Sequence, residues 1–364
     1  MSFKAGIVGL PNVGKSTLFN AITNSKVEAA NYPFATIEPN VGVVEVPDKR
    51  LDELARIFES KKKIATTIEF VDIAGLIAGA SKGEGLGNAF LANIRETDAI
   101  CEVVRCFDNK DITHVEGSVD PIRDIEIINL ELMLADEATI KKRIERIAPK
   151  VKSGDKAHLF ENEVLQKLQA CLAAGELLNT LELNDEETKI LKGFQLLTSK
   201  KFIYVCNVND DELQEDNQYV QQVKEFAKKS NSQVVKICAK IEEDLSEASA
   251  EEKSEFLADL GASQSGLDSL IQAAYATLGL QTYFTAGPQE ARSWQFPKGA
   301  TAPQCAGIIH TDFEKGFIKA DIYHINDLLE CGTEKAVKES GKMRLEGKQY
   351  IMQDGDVCFF KFNN

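Results

Sequence analysis

The chain has 364 residues, of which 43% are hydrophobic and 27% are charged, a composition typical of globular proteins with two or three domains. Its net charge of −15 argues against a basic surface spread over the whole molecule, as nonspecific nucleic-acid binding requires. No apolar run approaches the ~20 residues of a membrane span, and the first residues already resemble a strand. We therefore expect no membrane association and no signal peptide.

The first elements are a strand-like run at residues 3–8 and a helix-like run at residues 17–25. Between them, residues 9–17 match the pattern G-x-x-x-x-G-K-[S/T] without a mismatch, and strand–loop–helix is the context in which this pattern binds phosphate. Lys15 can reach the β- and γ-phosphates, and the Ser16 hydroxyl can bind Mg²⁺. We predict that the phosphates bind at Asn12, Val13, Gly14, Lys15, Ser16 and Thr17.

Two later segments can complete a Mg²⁺ and γ-phosphate site. The loop at residues 31–39 contains Thr36, whose hydroxyl is a candidate second Mg²⁺ ligand. The strand-like run 67–71 is followed by Asp72-Ile73-Ala74-Gly75, which matches D-x-x-G. In this order, Asp72 would hold Mg²⁺ through a water molecule and the Gly75 N–H would contact the γ-phosphate.

Strand-like and helix-like runs alternate through residues 1–121 and again through 199–280, including a helix-like run at 51–58. This alternation predicts an α/β domain with a mostly parallel sheet. Residues 122–198 instead carry apolar residues at helical spacing in two long stretches, separated by Ser153-Gly154-Asp155. They predict an inserted helical hairpin, possibly a coiled coil.

The pattern changes again at residues 281–364, where short strand-like runs, among them 293–296, 307–310, 317–325, 350–352 and 357–362, are separated by turn residues. This segment predicts a small α+β domain. It carries 10 Lys and Arg against 11 Asp and Glu, so its charge balance is only −1. A local basic face is therefore possible there. The eight cysteines are scattered without C-x-x-C spacing and predict neither a zinc site nor disulfides.

The nucleotide base should lie near Asn207-Val208-Asn209-Asp210, which follows the apolar strand-like run 201–206. Guanine-specific proteins have N-K-x-D there, with the aspartate accepting hydrogen bonds from guanine and the lysine covering the base. This chain has Asn207 and Asp210, but Val208 replaces the lysine. Ala239, in Cys238-Ala239-Lys240 after the run 233–237, is a further candidate base contact.

Over its full length the chain resembles the YchF family of Obg-related P-loop NTPases. The shared segments are G-L-P-N-V-G-K-S, N-Y-P-F-A-T-I-E-P-N, D-I-A-G-L, G-E-G-L-G-N and Q-D-G-D-V. The resemblance implies a P-loop domain, a helical insertion and a C-terminal TGS domain. It also implies hydrolysis of ATP in preference to GTP, with Mg²⁺, in the cytoplasm, and binding to the ribosome, for which we expect the large subunit.

The resemblance leaves the base preference and the catalytic group to be decided. The family typically has N-x-x-E at the base site, whereas Asp210 is closer to the guanine pattern, so GTP remains an alternative. Leu76 occupies the place where Ras-like proteins have a water-orienting glutamine. His114, in the polar run 108–114, is the candidate replacement, because a loop histidine at the matching position serves hydrolysis in the family.

Three hypotheses follow: a translation-linked ATPase switch, a GTP-specific switch, and a scaffold whose nucleotide is only structural. The intact set of Lys15, Ser16, Thr36 and Asp72 favours turnover. RNA contact through the C-terminal domain is expected to involve its cations, with Lys298, Lys315, Lys319, Lys342, Arg344 and Lys348 as the candidates.

Overall fold

The computed structural model describes residues 3–25, 40–73 and 86–363, and for residues 86–89 and 250 the backbone only. The described chain divides into two compact units. The first contains residues 3–25, 40–44 and 69–274 in their described parts, and the second contains residues 45–68 and 275–363.

The strands, in chain order, are β1 (Lys4–Val8), β2 (Val41–Glu45), β3 (Lys62–Ile64), β4 (Thr67–Asp72), β5 (Ala99–Arg105), β6 (Lys201–Asn207), β7 (Gln233–Ile237), β8 (Leu280–Ala286), β9 (Glu290–Pro297), β10 (Phe317–His324), β11 (Arg344–Glu346) and β12 (Asp356–Phe362). The helices are α1 (Lys15–Asn24), α2 (Lys49–Ile57), α3 (Leu86–Arg95), α4 (Pro121–Lys152), α5 (Lys156–Ala173), α6 (Asp185–Lys192), α7 (Gln218–Lys228), α8 (Ala239–Glu247), α9 (Ala250–Asp259), α10 (Gly266–Thr277), α11 (Ala302–Ile309), α12 (Thr311–Lys315), α13 (Ile325–Cys331) and α14 (Glu334–Glu339).

The first sheet has the order β2-β4-β1-β5-β6-β7 among the described strands. β1 pairs in parallel with β4 and β5, and β6 pairs in parallel with β5 and β7. Strand β5 is buried along its whole length, as expected for a central strand covered on both faces. The predicted parallel sheet is confirmed, and it brings the carboxyl ends of β1, β4, β5 and β6 to one edge, where ligands of such sheets bind.

The predicted helical hairpin is formed by α4 and α5. Asp120 caps α4 by accepting from the Arg123 N–H, Asp155 caps α5 in the same way, and Gly154 takes the positive φ of the turn between them. The two helices share an apolar cluster that includes Ile140, Ile147, Val164, Leu165 and Leu168. The helical segment lies within the first compact unit, because α4 also packs on β5 and α7.

The second unit contains a mixed sheet, which in the described chain has the order β11-β10-β12-β8-β9-β3. Here the structure corrects the sequence analysis. The helix expected at residues 51–58 forms as α2, but it belongs to this unit and not to the nucleotide-binding unit. Leu51 and Leu54 are buried among Phe284, Tyr323 and Leu328, and β3, which follows α2, pairs with β9.

The strand expected at residues 307–310 is also wrong, because these residues end helix α11 and continue to its C-cap at His310. Thr301 and Gln304 form a capping box at the start of α11, with a proline in its first turn, which is a helix-initiating signal. Residues 350–352 contribute only an isolated bridge between Thr301 and Ile351.

The eight cysteines all lie in the described chain as free thiols. Among the described helices, none combines the length and apolar character that a bilayer-spanning segment requires.

Candidate functional site

The phosphate loop connects β1 to α1 with a backbone that two glycines make possible. A Cβ on Gly9 would lie 2.9 Å from the Val103 carbonyl oxygen, and Gly14 has φ +94° and would clash with the Asn207 amide. Gly14 is the N-cap of α1 and has no side chain to cap the helix. The first N–H groups of α1, which begins with Lys15, Ser16 and Thr17, are therefore left for an anion.

Lys15, at the end of this loop, forms an ion pair with Asp72, the last residue of β4. The pairing follows from the sheet, since Asp72 is beside Ile7 in the parallel register and the Ile73 N–H donates to the Ile7 carbonyl at 3.1 Å. The two side chains are 12% and 23% exposed, so both ends can still be reached from solvent. A triphosphate can thus bind here when its phosphate oxygens replace the Asp72 carboxylate as the partner of the Lys15 ammonium.

The oxygen donors at this position suit a magnesium ion. The Ser16 side chain is exposed and has no hydrogen-bond partner within the described residues, and the Asp72 carboxylate is close to the same loop. No cluster of three or more His, Cys, Asp or Glu able to hold a metal exists in the part of the chain that the structure describes. One hydroxyl and one carboxylate fit Mg²⁺, which usually combines few protein ligands with water and nucleotide phosphates.

Asn207, at the end of β6, joins the phosphate loop to the start of α8. Its amide nitrogen donates to the Val13 carbonyl at 2.9 Å, and its side-chain oxygen accepts from the Ala239 N–H at 2.9 Å. Asn207 is 5% exposed, and its neighbour Val208 is 2% exposed. The structure therefore brings Val13, Asn207 and Ala239 together, as a shared base-and-phosphate site requires.

Asp210 lies at the surface, at the first position of a short 3₁₀ helix, Asp210–Glu212. One of its carboxylate oxygens accepts from the Asp211 N–H at 3.0 Å. Its second carboxylate oxygen has no hydrogen-bond partner among the described residues.

His114 is buried, which its polar sequence context did not indicate. The polar run around it is mostly exposed, but His114 itself is 7% exposed. Its Nε2 lies 2.8 Å from an Asp124 carboxylate oxygen in the first turn of α4, and its Nδ1 accepts from the Glu116 N–H at 3.1 Å. Because Nδ1 accepts, the ring proton must be on Nε2, which donates to Asp124.

Two polar side chains, from Arg105 and Asn12, fix the loop before His114. Arg105, 1% exposed at the end of β5, donates to the carbonyls of Phe107, Asn109 and Ile112 at 3.0–3.2 Å. Asn12 of the phosphate loop has φ +63° and donates through Nδ2 to the Thr113 carbonyl at 3.1 Å. The backbone next to His114 is therefore attached to the phosphate loop.

Three residues of the predicted site, Thr36, Gly75 and Leu76, lie outside the described residues, as does most of the glycine-rich run 79–87. The sequence analysis overlooked Arg105, Asp124 and Glu102. A signal for two of them was present, since Glu102 and Arg105 are the charged residues of an otherwise apolar strand. Burial raises the pKa of the Glu102 carboxyl well above its usual value, and the negative charge of Asp124 raises it further.

Comparisons with known proteins agree with this geometry. Residues 4–142 match the family model described as "50S ribosome-binding GTPase", and residues 280–363 match the model YchF-GTPase_C, described as a protein of unknown function. The "Ribosome-binding ATPase YchF" of Bacillus subtilis is 55% identical to this chain, with 100% of both chains covered. The protein of the same name from Haemophilus influenzae is also 55% identical, again with 100% of both covered.

A solved structure supports the relationship across the full chain. The structure of the Schizosaccharomyces pombe YchF GTPase is 40% identical and superposes with a TM-score of 0.89, covering 99% of this chain and 98% of the other. Identity above half the residues at full coverage, together with a shared fold of both units, shows common descent. The chain belongs to the YchF family of P-loop NTPases.

Proposed function

We propose that this chain is a Mg²⁺-dependent ATPase that binds the ribosome and acts as a translation-linked switch. The observation that carries the proposal is the assembled phosphate loop, with Lys15 beside Asp72 and with Asn207 joining the loop to α8. The names of the bacterial relatives, ribosome-binding ATPases, support ATP and the ribosome as partners. Work on the ribosome also implies that the chain acts in the cytoplasm.

Each group has a role in breaking the bond between the β-bridging oxygen and the γ-phosphorus. Lys15 would neutralise charge on the β- and γ-phosphates, and the Gly75 N–H would contact the γ-phosphate. Ser16 and Thr36 would bind Mg²⁺ directly and Asp72 through water, and the ion would offset the charge of the phosphate oxygens. His114 would orient the attacking water, since Leu76 has no polar side chain with which to do so.

The choice between ATP and GTP rests on the residues after β6. Val208 is buried and offers no ammonium group to cover a guanine, which favours ATP. Asp210 is exposed and could accept from guanine, and the S. pombe relative is called a GTPase. A GTP-specific switch is therefore the second candidate.

Equilibrium binding of ATP and GTP to the wild type and to Asp210→Ala separates these candidates. We expect ATP to bind the wild type at least as tightly as GTP, and Asp210→Ala to weaken GTP binding alone if the carboxylate contacts guanine. Tighter binding of GTP by about tenfold, or ~1.4 kcal/mol, would reverse the assignment.

Ribosome contact requires cations that are not already neutralised within the protein. In the C-terminal domain, Lys342 is bound to Asp327 and Glu330, and Arg344 lies 3.7 Å from Glu346 and from Asp356. Lys298, Lys315, Lys319 and Lys348 form no ion pair with the described residues, so these four carry our proposal of RNA contact by this domain. The family model described as 50S ribosome-binding supports the large subunit as the target.

The helical hairpin offers a second surface for the same partner. A groove of about 780 Å³ between α4, α5 and α6 is lined by Lys142, Arg146 and Lys189, all exposed, together with the rings of Phe160 and Phe194. Within the described chain these three cations have no carboxylate partner. Cations beside aromatic rings suit the phosphates and bases of RNA.

Cosedimentation with ribosomes at increasing salt tests both surfaces. We expect binding to weaken steeply with salt, because each phosphate contact releases counterions. Replacing either the four lysines of the C-terminal domain or the three cations of the groove by alanine should reduce both the affinity and the salt slope. Alanine at Lys335 and Lys361, which are paired with Glu339 and Asp321, gives a control that alters charge at neutralised cations of the C-terminal domain. Binding that ignores salt and both sets of substitutions would remove RNA contact from the proposal.

A further inference from the structure

His114 is held where neither ring nitrogen can act on a water molecule. Nε2 donates to Asp124 and Nδ1 accepts from the Glu116 N–H, and the side chains of His114 and Asp124 are each only 4% exposed. In a catalytic dyad a carboxylate orients one nitrogen while the other faces the reactants. Here the other nitrogen is occupied, so the arrangement differs from a dyad ready for catalysis.

Asp124 is well placed to hold the ring. It lies in the first turn of α4, where a negative charge is stabilised by the helix dipole. Its second oxygen accepts from Arg123 at 3.2 Å, and Arg123 in turn donates to the Ser118 carbonyl at 2.6 Å. A buried carboxylate with these partners makes a strong, charge-assisted bond to the imidazole.

The backbone beside His114 is fixed independently of the ring. Asn12 holds the Thr113 carbonyl, and Arg105 holds the carbonyl of Ile112. If the two bonds of the ring break, the loop therefore keeps His114 beside the phosphate loop while the side chain is free to rotate. Release of His114 therefore needs only a change of its side-chain rotamer, without refolding of the loop.

We propose that Asp124 is a positioning residue that keeps His114 in an inactive orientation, and that the bond between them must break before nucleotide is hydrolysed. This inference rests on the proposed role of His114 in orienting water. Asp124 then acts as a brake on basal turnover. A partner or a bound nucleotide that shifts α4 or the loop at residues 106–116 would release the histidine.

Single-turnover hydrolysis of saturating Mg²⁺–ATP by the full chain tests the brake. Asp124→Ala should hydrolyse ATP about tenfold faster than the wild type, a change of ~1.4 kcal/mol in the balance of orientations. Asp124→Asn keeps a neutral acceptor and should fall between the two. His114→Ala should be ~10²-fold slower, the usual cost of losing an orienting or acid–base group. The double variant should be as slow as His114→Ala.

Asp120→Ala is the matched control, because Asp120 caps the same helix end without touching His114. It should lower the stability of α4 and leave the rate unchanged. If Asp120→Ala accelerates hydrolysis as much as Asp124→Ala does, the effect comes from loosening α4, and the brake is refuted.

Chemical modification gives a readout that does not depend on activity. Diethyl pyrocarbonate modifies accessible neutral imidazoles, and peptide mapping by mass spectrometry reports each histidine separately. In the nucleotide-free wild type, His114 should react far more slowly than His310, whose side chain is 59% exposed. In Asp124→Ala, His114 should approach the rate of His310, while His310 stays unchanged. Equal protection of His114 in both proteins would overturn the proposal.

The outcomes separate the brake from the function on which it rests. A slow His114→Ala with Asp124→Ala at or below the wild-type rate would refute the brake and keep the histidine's role. Wild-type turnover by His114→Ala would refute both, because the ring would then have no catalytic part. Only a faster Asp124→Ala whose gain disappears in the double variant supports the proposal.

Discussion

At the scale of single residues, strand β5 carries charged groups where the sequence pattern suggests apolar ones. Glu102 is the clearest example. It lies in the fully buried strand β5, is 1% exposed, and one of its carboxylate oxygens has no hydrogen-bond partner among the described residues. Such a group folds at lower cost as a neutral acid than as an ion.

Glu102 should make stability fall as the pH rises. Its pKa in the folded protein is raised well above 4.5 by burial and then by Asp124, so above pH ~4.5 the unfolded chain loses this proton before the folded chain does. The stabilisation is complete below that pH and is lost as the pH climbs towards the folded pKa. In Glu102→Gln this loss of stability should be absent. The free energy of unfolding of the variant, relative to that of the wild type, should therefore rise by up to ~1.4 kcal/mol per pH unit.

Denaturant unfolding of both proteins from pH 5 to pH 8 measures this difference. Glu126→Gln, at an exposed position of α4, is the control and should follow the wild type throughout. Parallel curves for the wild type and Glu102→Gln would show that Glu102 is ionised in the folded protein.

The phosphate loop could be predicted from sequence because its determinants are local. Gly9, Gly14 and Lys15 are contiguous with the strand and helix that place them, and a parallel register then brings Asp72 alongside. The bond between His114 and Asp124 could not be predicted in this way. It depends on where α4 begins relative to the loop, and neither residue has a local pattern that identifies its partner.

At the scale of elements, the sequence shows that a helix has one buried face without showing which sheet covers it. Helix α2 illustrates this limit. Its apolar stripe correctly predicted a helix, but chain order suggested the nucleotide-binding domain, whereas its stripe packs in the second unit. Residues 307–310 show a related limit, since a short apolar run is compatible with either a strand or a helix. Here the capping box at the start of α11 favours the helix.

Leu54→Ala tests the placement of α2. Leu54 is fully buried in the second unit, so its truncation should cost ~2–5 kcal/mol of stability. The affinity for ATP should be unchanged, because the phosphate loop is in the first unit. Arg56→Ala, at an exposed position of the same helix, should change stability by less than ~0.5 kcal/mol. Denaturant unfolding and ATP titration of each variant provide the two measurements. A loss of ATP affinity in Leu54→Ala alone would contradict this placement of α2.

At the scale of the whole molecule, the chain combines a phosphate loop with cations that have no ion-pair partner among the described residues, on two different segments. If the cations of the helical groove and of the C-terminal domain contact RNA as we propose, the net charge of −15 makes that contact more selective, since the rest of the surface repels RNA. The His114–Asp124 bond gives such a molecule a means to keep basal hydrolysis slow. Together these features fit the switch that we propose, in which turnover depends on the partner.

The measurement that tests this account most directly is phosphate release from ATP, with and without ribosomes, by the wild type and by Lys15→Ala. The wild type should release phosphate slowly alone and faster with ribosomes. Lys15→Ala should do neither, because a charge-assisted contact to the β- and γ-phosphates is worth ~1.5–3 kcal/mol. Equal rates for the two proteins, or a wild type that consumes GTP and leaves ATP intact even on ribosomes, would contradict the account.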